Sequence, residues 1–181
     1  MLSILIVEDE PLFAQTLKYL VELNPLYSVT AVAEDAAGAL AAIEDRKPDL
    51  ALVDLQLAHG STGFSVAVKL HEMGVMCLFT TGKAPSFPMP DLALGCLVKP
   101  FSEEDLVRAL KTAEDELRGR HGYRIRPGRP ANLRLYAEEQ ALAKAESPAL
   151  LPTPESSRAR RTFRDRAGRI WRAAQRGLSA G

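Results

Sequence analysis

The sequence predicts an α/β fold in which helices cover both faces of a parallel β-sheet. Short apolar runs rich in β-branched residues alternate with longer segments whose apolar residues recur at helical spacing. The short runs, such as SILIV near the start, are apolar throughout and do not alternate with polar residues. Continuous apolar runs are typical of strands buried on both faces, as in a parallel sheet.

Five strands are predicted, each but one followed by a helix. The strands correspond to residues 3–7, 28–33, 50–53, 75–79 and 96–98. Pro11 suits the first turn of the first helix, the second helix must stop before Pro48, and the third follows a turn at Gly60. Ser102, followed by three acidic residues, is typical of the start of the last helix.

The exception is the interval between the fourth and fifth strands, KAPSFPMPDLALG, residues 83–95. Pro85, Pro88 and Pro90 each remove a backbone donor and disfavour helical geometry in the preceding residue. We therefore expect a loop where the alternation would otherwise place a fourth helix.

The composition is that of a globular protein, with 46% hydrophobic and 25% charged residues. No apolar run approaches the length of a membrane span, so a cytoplasmic protein is expected. Cys77 and Cys96 lie in strand-like runs without zinc-site spacing, which favours buried reduced thiols.

The zero net charge conceals an acidic body and a basic tail. Residues 1–118 hold 9 Lys+Arg and 18 Asp+Glu, a balance of −9, while residues 119–181 hold 14 and 5, a balance of +9. We predict a domain over 1–118, an extension over 119–157 with one helix (132–146) and a proline-serine linker, and a basic amphipathic helix over 158–178.

Chemically versatile side chains follow four of the predicted strands. In a parallel α/β sheet, ligands bind beyond the carboxyl ends of the strands. The residues found there are Glu8 and Asp9 after the first strand, Asp54 after the third, Thr81 after the fourth and Lys99 after the fifth. Three crowded carboxylates favour a hard cation such as Mg²⁺, and a carboxylate can attack phosphorus. A lysine and a hydroxyl can then neutralise and align a phosphoryl group.

These motifs resemble the receiver domain of two-component response regulators, which has a flavodoxin-like sheet of order 2-1-3-4-5. The resemblance covers residues 1–118 and is carried by ILIVEDE, PDLALVDLQL, FTTG and LVKPF. It implies that Asp54 accepts a phosphoryl group from a histidine kinase, that Thr81 and Lys99 engage the phosphate, and that the Lys99–Pro100 bond is cis. It implies Mg²⁺ ligands from the side chains of three acids and one backbone carbonyl: Glu8, Asp9, Asp54 and Gln56. Such a domain is a signalling switch and not an enzyme, apart from its own phosphorylation and dephosphorylation.

Three further positions acquire roles from the resemblance. Gln56 and Lys83 lie two residues past the acceptor and the switch threonine, where side chains tune the lifetime of the phosphate. Cys96 lies three residues before Lys99, where many receivers have a switch tyrosine or phenylalanine, so the usual coupling is altered.

The motif FTTG and the proline-rich interval resemble a subgroup of single-domain receivers with a Phe-Ala-Thr-Gly-type motif and no regular fourth helix. Such receivers work with histidine kinases of the HWE or a related type, without a DNA-binding output. Our hypothesis is that the proline loop moves when the phosphoryl group draws in Thr81.

The tail leaves alternatives open. The helix over 158–178 has Trp171 on its apolar stripe and eight arginines mostly elsewhere. It could dock on the acidic body or a partner, bind anionic membrane or nucleic acid, or order only on binding. Two functions follow: a phosphorelay regulator acting through protein contacts, or a DNA-binding regulator whose receiver gates the tail.

Overall fold

A central sheet organises the chain, and the computed structural model describes residues 1–57, 62–120 and 129–146. The strands are β1 (Leu2–Val7), β2 (Tyr27–Ala33), β3 (Leu50–Asp54), β4 (Met76–Thr81), β5 (Gly95–Val98) and β6 (Leu133–Leu135). The helices are α1 (Pro11–Glu22), α2 (Ala36–Asp45), α3 (Gly63–Glu72), α4 (Glu103–Leu117) and α5 (Tyr136–Glu146). The predicted linker and basic helix, as well as the turn at Gly60, lie outside the described residues.

The strand order is β2-β1-β3-β4-β5-β6, with the first five strands parallel and β6 antiparallel to β5. The predicted α/β class and the order of the five parallel strands are therefore confirmed. The sixth strand is a correction, because the sequence analysis placed residues 133–135 inside a helix over 132–146. The helix begins only at Tyr136.

Local sequence determines where the helices begin. Pro11 occupies the first turn of α1. The side chains of Asp35 and Thr62 cap α2 and α3 by accepting from the backbone N–H groups three residues ahead. At α4, Ser102 and Asp105 form a reciprocal capping box.

Two apolar clusters lie on opposite faces of the sheet. On one face, Leu17, Val21, Leu106 and Leu110 from α1 and α4 pack against β1, β3, β4 and β5. On the other face, α2 and α3 pack together with Tyr136 from the start of α5. Helices therefore cover both faces, as expected.

Residues 82–94 form turns and bends with no helix, as the three prolines predicted. Ala84 and Met89 of this loop pack against the same cluster as Tyr136. The loop and the first residue of α5 thus cover a part of the sheet where no helix lies between β4 and β5. Within the described residues, no helix is both long and apolar enough to cross a membrane.

Candidate acidic phosphoacceptor site

Three carboxylates meet at the carboxyl edge of the sheet. Glu8 follows β1, where its backbone N–H donates to the carbonyl of Ala33 at 2.9 Å, and Asp54 is the last residue of β3. Glu8 and Asp54 are buried, and Asp9 is half-buried. One carboxylate oxygen from each of the three acids lies within 4.8 Å of the others. A single cation placed among them could contact all three.

Lys99, immediately after β5, reaches into this cluster. Its ammonium donates to Asp54 Oδ2 at 2.6 Å and to Glu8 Oε2 at 2.9 Å. It also lies 4.1 Å from the centre of the Phe13 ring, a cation–π distance. The ammonium therefore neutralises part of the charge that the acids bring together.

Burial and pairing oppose each other in this cluster. Burial raises the pKa of Glu8, and the hydrogen bond from Lys99 offsets this rise only in part. For Lys99, burial acts to lower the pKa, but hydrogen bonds to Asp54 and Glu8 outweigh it and leave the pKa above its ordinary value. Lys99 is therefore a fixed positive charge.

Both oxygens of the Asp54 carboxylate have donors. Oδ1 accepts from the backbone N–H of Gln56 at 2.8 Å, and Oδ2 accepts from Lys99. These contacts orient the carboxylate toward the cluster. Gln56 itself is exposed, and the loop after it includes residues 58–61, which are outside the described part of the chain.

Thr81 is the last residue of β4, and Lys83 follows it in the loop. Thr81 is completely buried, its carbonyl accepts from the backbone N–H of Lys99 at 2.8 Å, and its hydroxyl lies 3.4 Å from the backbone N–H of Lys83. The side chain of Lys83 is exposed. The Thr81 hydroxyl and the Lys99 ammonium are thus carried by two strands, β4 and β5, that pair directly.

Cys96 lies on β5, three residues before Lys99. It is fully buried on β5, paired with Phe79 on β4 and with Arg134 on β6. Burial raises its pKa to about 11 and that of Cys77 to about 12. Both cysteines are free and buried, as the sequence indicated.

Several residues around the site were missed by the sequence analysis. Phe13, whose ring lies against the Lys99 ammonium, was not predicted to lie at the site. Asn132, Arg134 and Tyr136 were assigned to a helix, because three residues with a central arginine give no strand signal. Pro130, just before them, was a hint of a break, because proline disfavours a helix interior.

The donor set fits Mg²⁺. Hard divalent cations prefer carboxylate and carbonyl oxygens. Three carboxylates whose oxygens lie within 4.8 Å of one another satisfy that preference. Lys99 contacts two of the three acids, so a cation would have to share Glu8 and Asp54 with the ammonium.

Comparisons with known proteins agree with this geometry. Residues 4–111 match the family model of the response regulator receiver domain. The sensory transduction protein LytT of Enterococcus faecalis is 34% identical over 124 residues, which is 64% of this chain and 49% of that protein. The chain therefore spans about half the length of the curated relatives it matches.

Solved structures show the same fold. A CheY-like response regulator receiver domain from Methanospirillum hungatei superimposes with a TM-score of 0.59 at 28% identity, covering 67% of this chain and 99% of that one. The receiver domain of the response regulator PhyR from Erythrobacter litoralis gives a TM-score of 0.51 at 25% identity, covering 70% and 94%.

Proposed function

Because the chain belongs to the response regulator receiver domain family of two-component systems, we propose that Asp54 accepts a phosphoryl group from a phosphohistidine of a sensor kinase. A carboxylate oxygen of Asp54 attacks phosphorus, the N–P bond breaks, and the imidazole leaves with the electron pair. The observation that supports this most directly is the Asp54 carboxylate, buried among Glu8, Asp9 and Lys99.

The neighbouring groups have complementary roles in this proposal. Lys99 neutralises charge on the phosphoryl oxygens, and the Thr81 hydroxyl donates to another of them. The side chains of Glu8, Asp9 and Asp54 and the carbonyl of Gln56 would hold Mg²⁺, which would supply further neutralisation of the phosphoryl charge. Gln56 and Lys83 lie at the border of the site, where they tune access of water and so the lifetime of the acyl phosphate.

Phosphotransfer from a histidine kinase, or from acetyl phosphate with Mg²⁺, tests the proposal. The wild-type protein should form an acid-stable, base-labile phosphoprotein, and Asp54→Asn should not. Asp91→Asn is the matched control and should be phosphorylated normally, because Asp91 is exposed and lies beside Val75 and Leu94, which precede β4 and β5 at the opposite end of the strands from Asp54. Undiminished labelling of Asp54→Asn would remove Asp54 from this role.

We further propose that the protein signals through protein contacts and belongs with the receivers that lack a regular fourth helix. The loop over 82–94, which takes the place of a helix between β4 and β5, supports this placement. A kinase of the HWE type is then the expected donor. Amide exchange tests whether the proline loop responds: slower exchange over residues 82–95 with Mg²⁺ and beryllium fluoride supports a moving loop, and unchanged exchange contradicts it.

The second candidate is a DNA-binding regulator whose receiver gates the basic tail. The observation that favours it is the balance of +9 over residues 119–181. DNA and kinase binding by the full-length protein should be compared with a chain that ends at residue 146. The truncated chain ends at residue 146 because a chain that ends near residue 120 would also lack β6. Salt-dependent DNA binding lost with the tail supports this candidate, and kinase binding alone supports the first.

A further inference from the structure

The segment from Asn132 to Tyr136 runs along the strand that carries Lys99. Its strand β6 pairs antiparallel with β5, with Leu97 opposite Leu133 and Gly95 opposite Leu135. A Cβ atom on Gly95 would lie 2.0 Å from the carbonyl oxygen of Arg134. Only glycine at this position allows the two backbones to approach so closely.

Asn132 contacts the backbone on both sides of Lys99. Its carbonyl accepts from the N–H of Val98 at 3.0 Å, and its side-chain amide donates to the carbonyls of Val98 at 3.2 Å and Pro100 at 3.3 Å. The two carbonyl acceptors determine which end of the amide faces them, because an oxygen there would be repelled. In this orientation Asn132 Oδ1 is buried with no hydrogen-bond partner among the described residues. A buried acceptor without a partner destabilises the protein. The two hydrogen bonds that Asn132 donates beside Lys99 therefore carry a free-energy penalty.

Arg134 contacts the loop that follows Thr81. Its guanidinium pairs with Glu139 through two hydrogen bonds of 2.6 and 2.9 Å, and its remaining arm donates to the carbonyl of Pro85 at 3.1 Å. Because no helix forms over 82–94, the Pro85 carbonyl lacks the amide partner a helix would give it. Arg134 supplies that donor from outside the loop, with its orientation fixed by Glu139.

Tyr136 anchors the same segment. Its N–H donates to the carbonyl of Leu94 at 3.0 Å, and its fully buried ring lies 6.3 Å from the ring of Phe79. Phe79 precedes Thr81 by two residues on β4. The segment therefore contacts residues next to Lys99 and residues near Thr81, the two residues that are proposed to engage the phosphate.

We propose that Asn132 and Arg134 are positioning residues of the phosphoacceptor site. Asn132 holds Lys99 against Asp54 through Val98 and Pro100, and Arg134 holds the loop after Thr81 through Pro85. The proposal rests on the phosphoacceptor function proposed above. Because coupling between two sites is reciprocal, a phosphoryl group that shifts Lys99 or Thr81 also shifts β6 and α5. The segment thereby connects the state of Asp54 to the chain that follows.

The test separates positioning from folding by measuring Mg²⁺ affinity and phosphorylation rate independently in the full-length protein. For Asn132→Ala we expect the rate with acetyl phosphate at saturating Mg²⁺ to fall about tenfold, since two donors that hold Lys99 are lost. Its Mg²⁺ affinity should be unchanged or tighter, because a looser Lys99 competes less for Glu8 and Asp54. A variant that is only destabilised would instead lose phosphorylation and Mg²⁺ binding together, in proportion to its unfolded fraction.

Arg134→Ala provides a second variant that depends less on a buried group. Its phosphorylation rate should fall roughly threefold, and amide exchange over 82–94 should become faster. The matched control is Arg129→Ala, which removes an arginine three residues before this segment that pairs with Glu138. Arg129→Ala should leave rate and exchange unchanged. If Asn132→Ala does not fold, Arg134→Ala decides the question.

The outcomes distinguish this inference from the proposed function. If the wild-type protein forms no phosphoprotein, or Asp54→Asn is still labelled, the phosphoacceptor function fails. If Asp54 is phosphorylated normally but Asn132→Ala and Arg134→Ala both behave like Arg129→Ala, the positioning role fails. The reciprocal effect requires altered amide exchange at 133–136 with Mg²⁺ and beryllium fluoride, and unchanged exchange there contradicts it.

Discussion

Lys99 occupies a position that a metal ion would share. Its ammonium contacts two of the three acids, Glu8 and Asp54, at distances of 2.9 and 2.6 Å. An ammonium and a divalent cation compete electrostatically for the same carboxylates. The lysine therefore stabilises the metal-free site and opposes metal binding.

Lys99→Met should tighten Mg²⁺ binding and slow phosphorylation at the same time. Removal of the ammonium leaves three carboxylates with less compensation, and a divalent ion relieves their repulsion. We expect the Mg²⁺ dissociation constant, measured calorimetrically, to fall several-fold. Lys69→Met is the control, because Lys69 is an exposed lysine of α3 that forms no ion pair with Glu8 or Asp54 within the described residues. Weaker Mg²⁺ binding by a folded Lys99→Met protein would contradict this interpretation.

The raised pKa of Glu8 predicts a pH dependence of metal binding. Burial shifts the pKa of Glu8 above the ordinary value of 4.5, so a proton competes with Mg²⁺ at higher pH than at an exposed glutamate. Below the raised pKa the protonated form dominates and Mg²⁺ affinity is reduced; above it the affinity reaches its plateau. Titrations repeated as pH is lowered from neutral should show this decline. Glu8→Gln should bind more weakly at neutral pH and show a shallower decline, and an equal slope would assign the proton to another group.

At the scale of elements, the start of α3 lies directly behind Asp54. A Cβ on Gly63 would meet the carbonyl oxygen of Asp54 at 2.0 Å and the Cα of Leu55 at 2.6 Å. These are backbone atoms, so neither can rotate away. The first residue of the helix and the last residue of β3 are therefore packed as one unit.

Gly63→Ala should displace the acceptor strand end or the helix. Overpacking of this kind typically destabilises a protein by about 1–3 kcal/mol, and contact with backbone favours the upper part of that range. We also expect slower phosphorylation of the folded fraction, because Asp54 moves relative to Lys99. Gly82→Ala is the control, since nothing lies within 4 Å of the added Cβ. Equal stability of the two variants in denaturant unfolding would show that α3 shifts without strain.

The elements that were predicted correctly share one property, which is that each has a recognisable local sequence pattern. The five parallel strands are apolar runs, the helices α1 to α4 carry caps or proline at their starts, and the loop over 82–94 carries its prolines. The acidic cluster was also predictable, because its members directly follow such strands. β6 was not, since Leu133–Leu135 is short, contains Arg134 and becomes a strand only by pairing with β5. The contact of Asn132 with Val98 joins residues 34 positions apart in the sequence, so no local sequence pattern predicts it.

At the scale of the whole molecule, the sheet includes residues beyond the match to the family model, which ends at residue 111. Residues Met1–Lys144 form one compact unit that includes β6 and most of α5. β6 pairs with the edge of β5, where unpaired backbone groups would otherwise be exposed. The segment after α4 is therefore part of the fold and not only a connection to the tail.

Tyr136 contributes to this unit by its ring and not by its hydroxyl. The ring is fully buried beside Phe79, while the hydroxyl is buried without a hydrogen-bond partner among the described residues. Tyr136→Ala should reduce the free energy of unfolding by about 3–5 kcal/mol, as expected for loss of a buried aromatic ring. Tyr136→Phe keeps the ring, removes the unsatisfied group and should be neutral or stabilising. A loss of stability in Tyr136→Phe would reveal a partner for the hydroxyl.

Truncation tests whether β6 and α5 belong to the folding unit. A chain that ends at residue 146 should unfold with the same midpoint as the full-length protein, because it retains every element of the described structure. A chain that ends at residue 128 loses the ring of Tyr136 and the strand paired with β5, and it should be less stable by at least about 3–5 kcal/mol. It should also associate through the exposed edge of β5, which light scattering would detect. If the shorter chain is monomeric and as stable as the longer one, residues 129–146 are only an appendage, and the signal cannot leave Asp54 through β6.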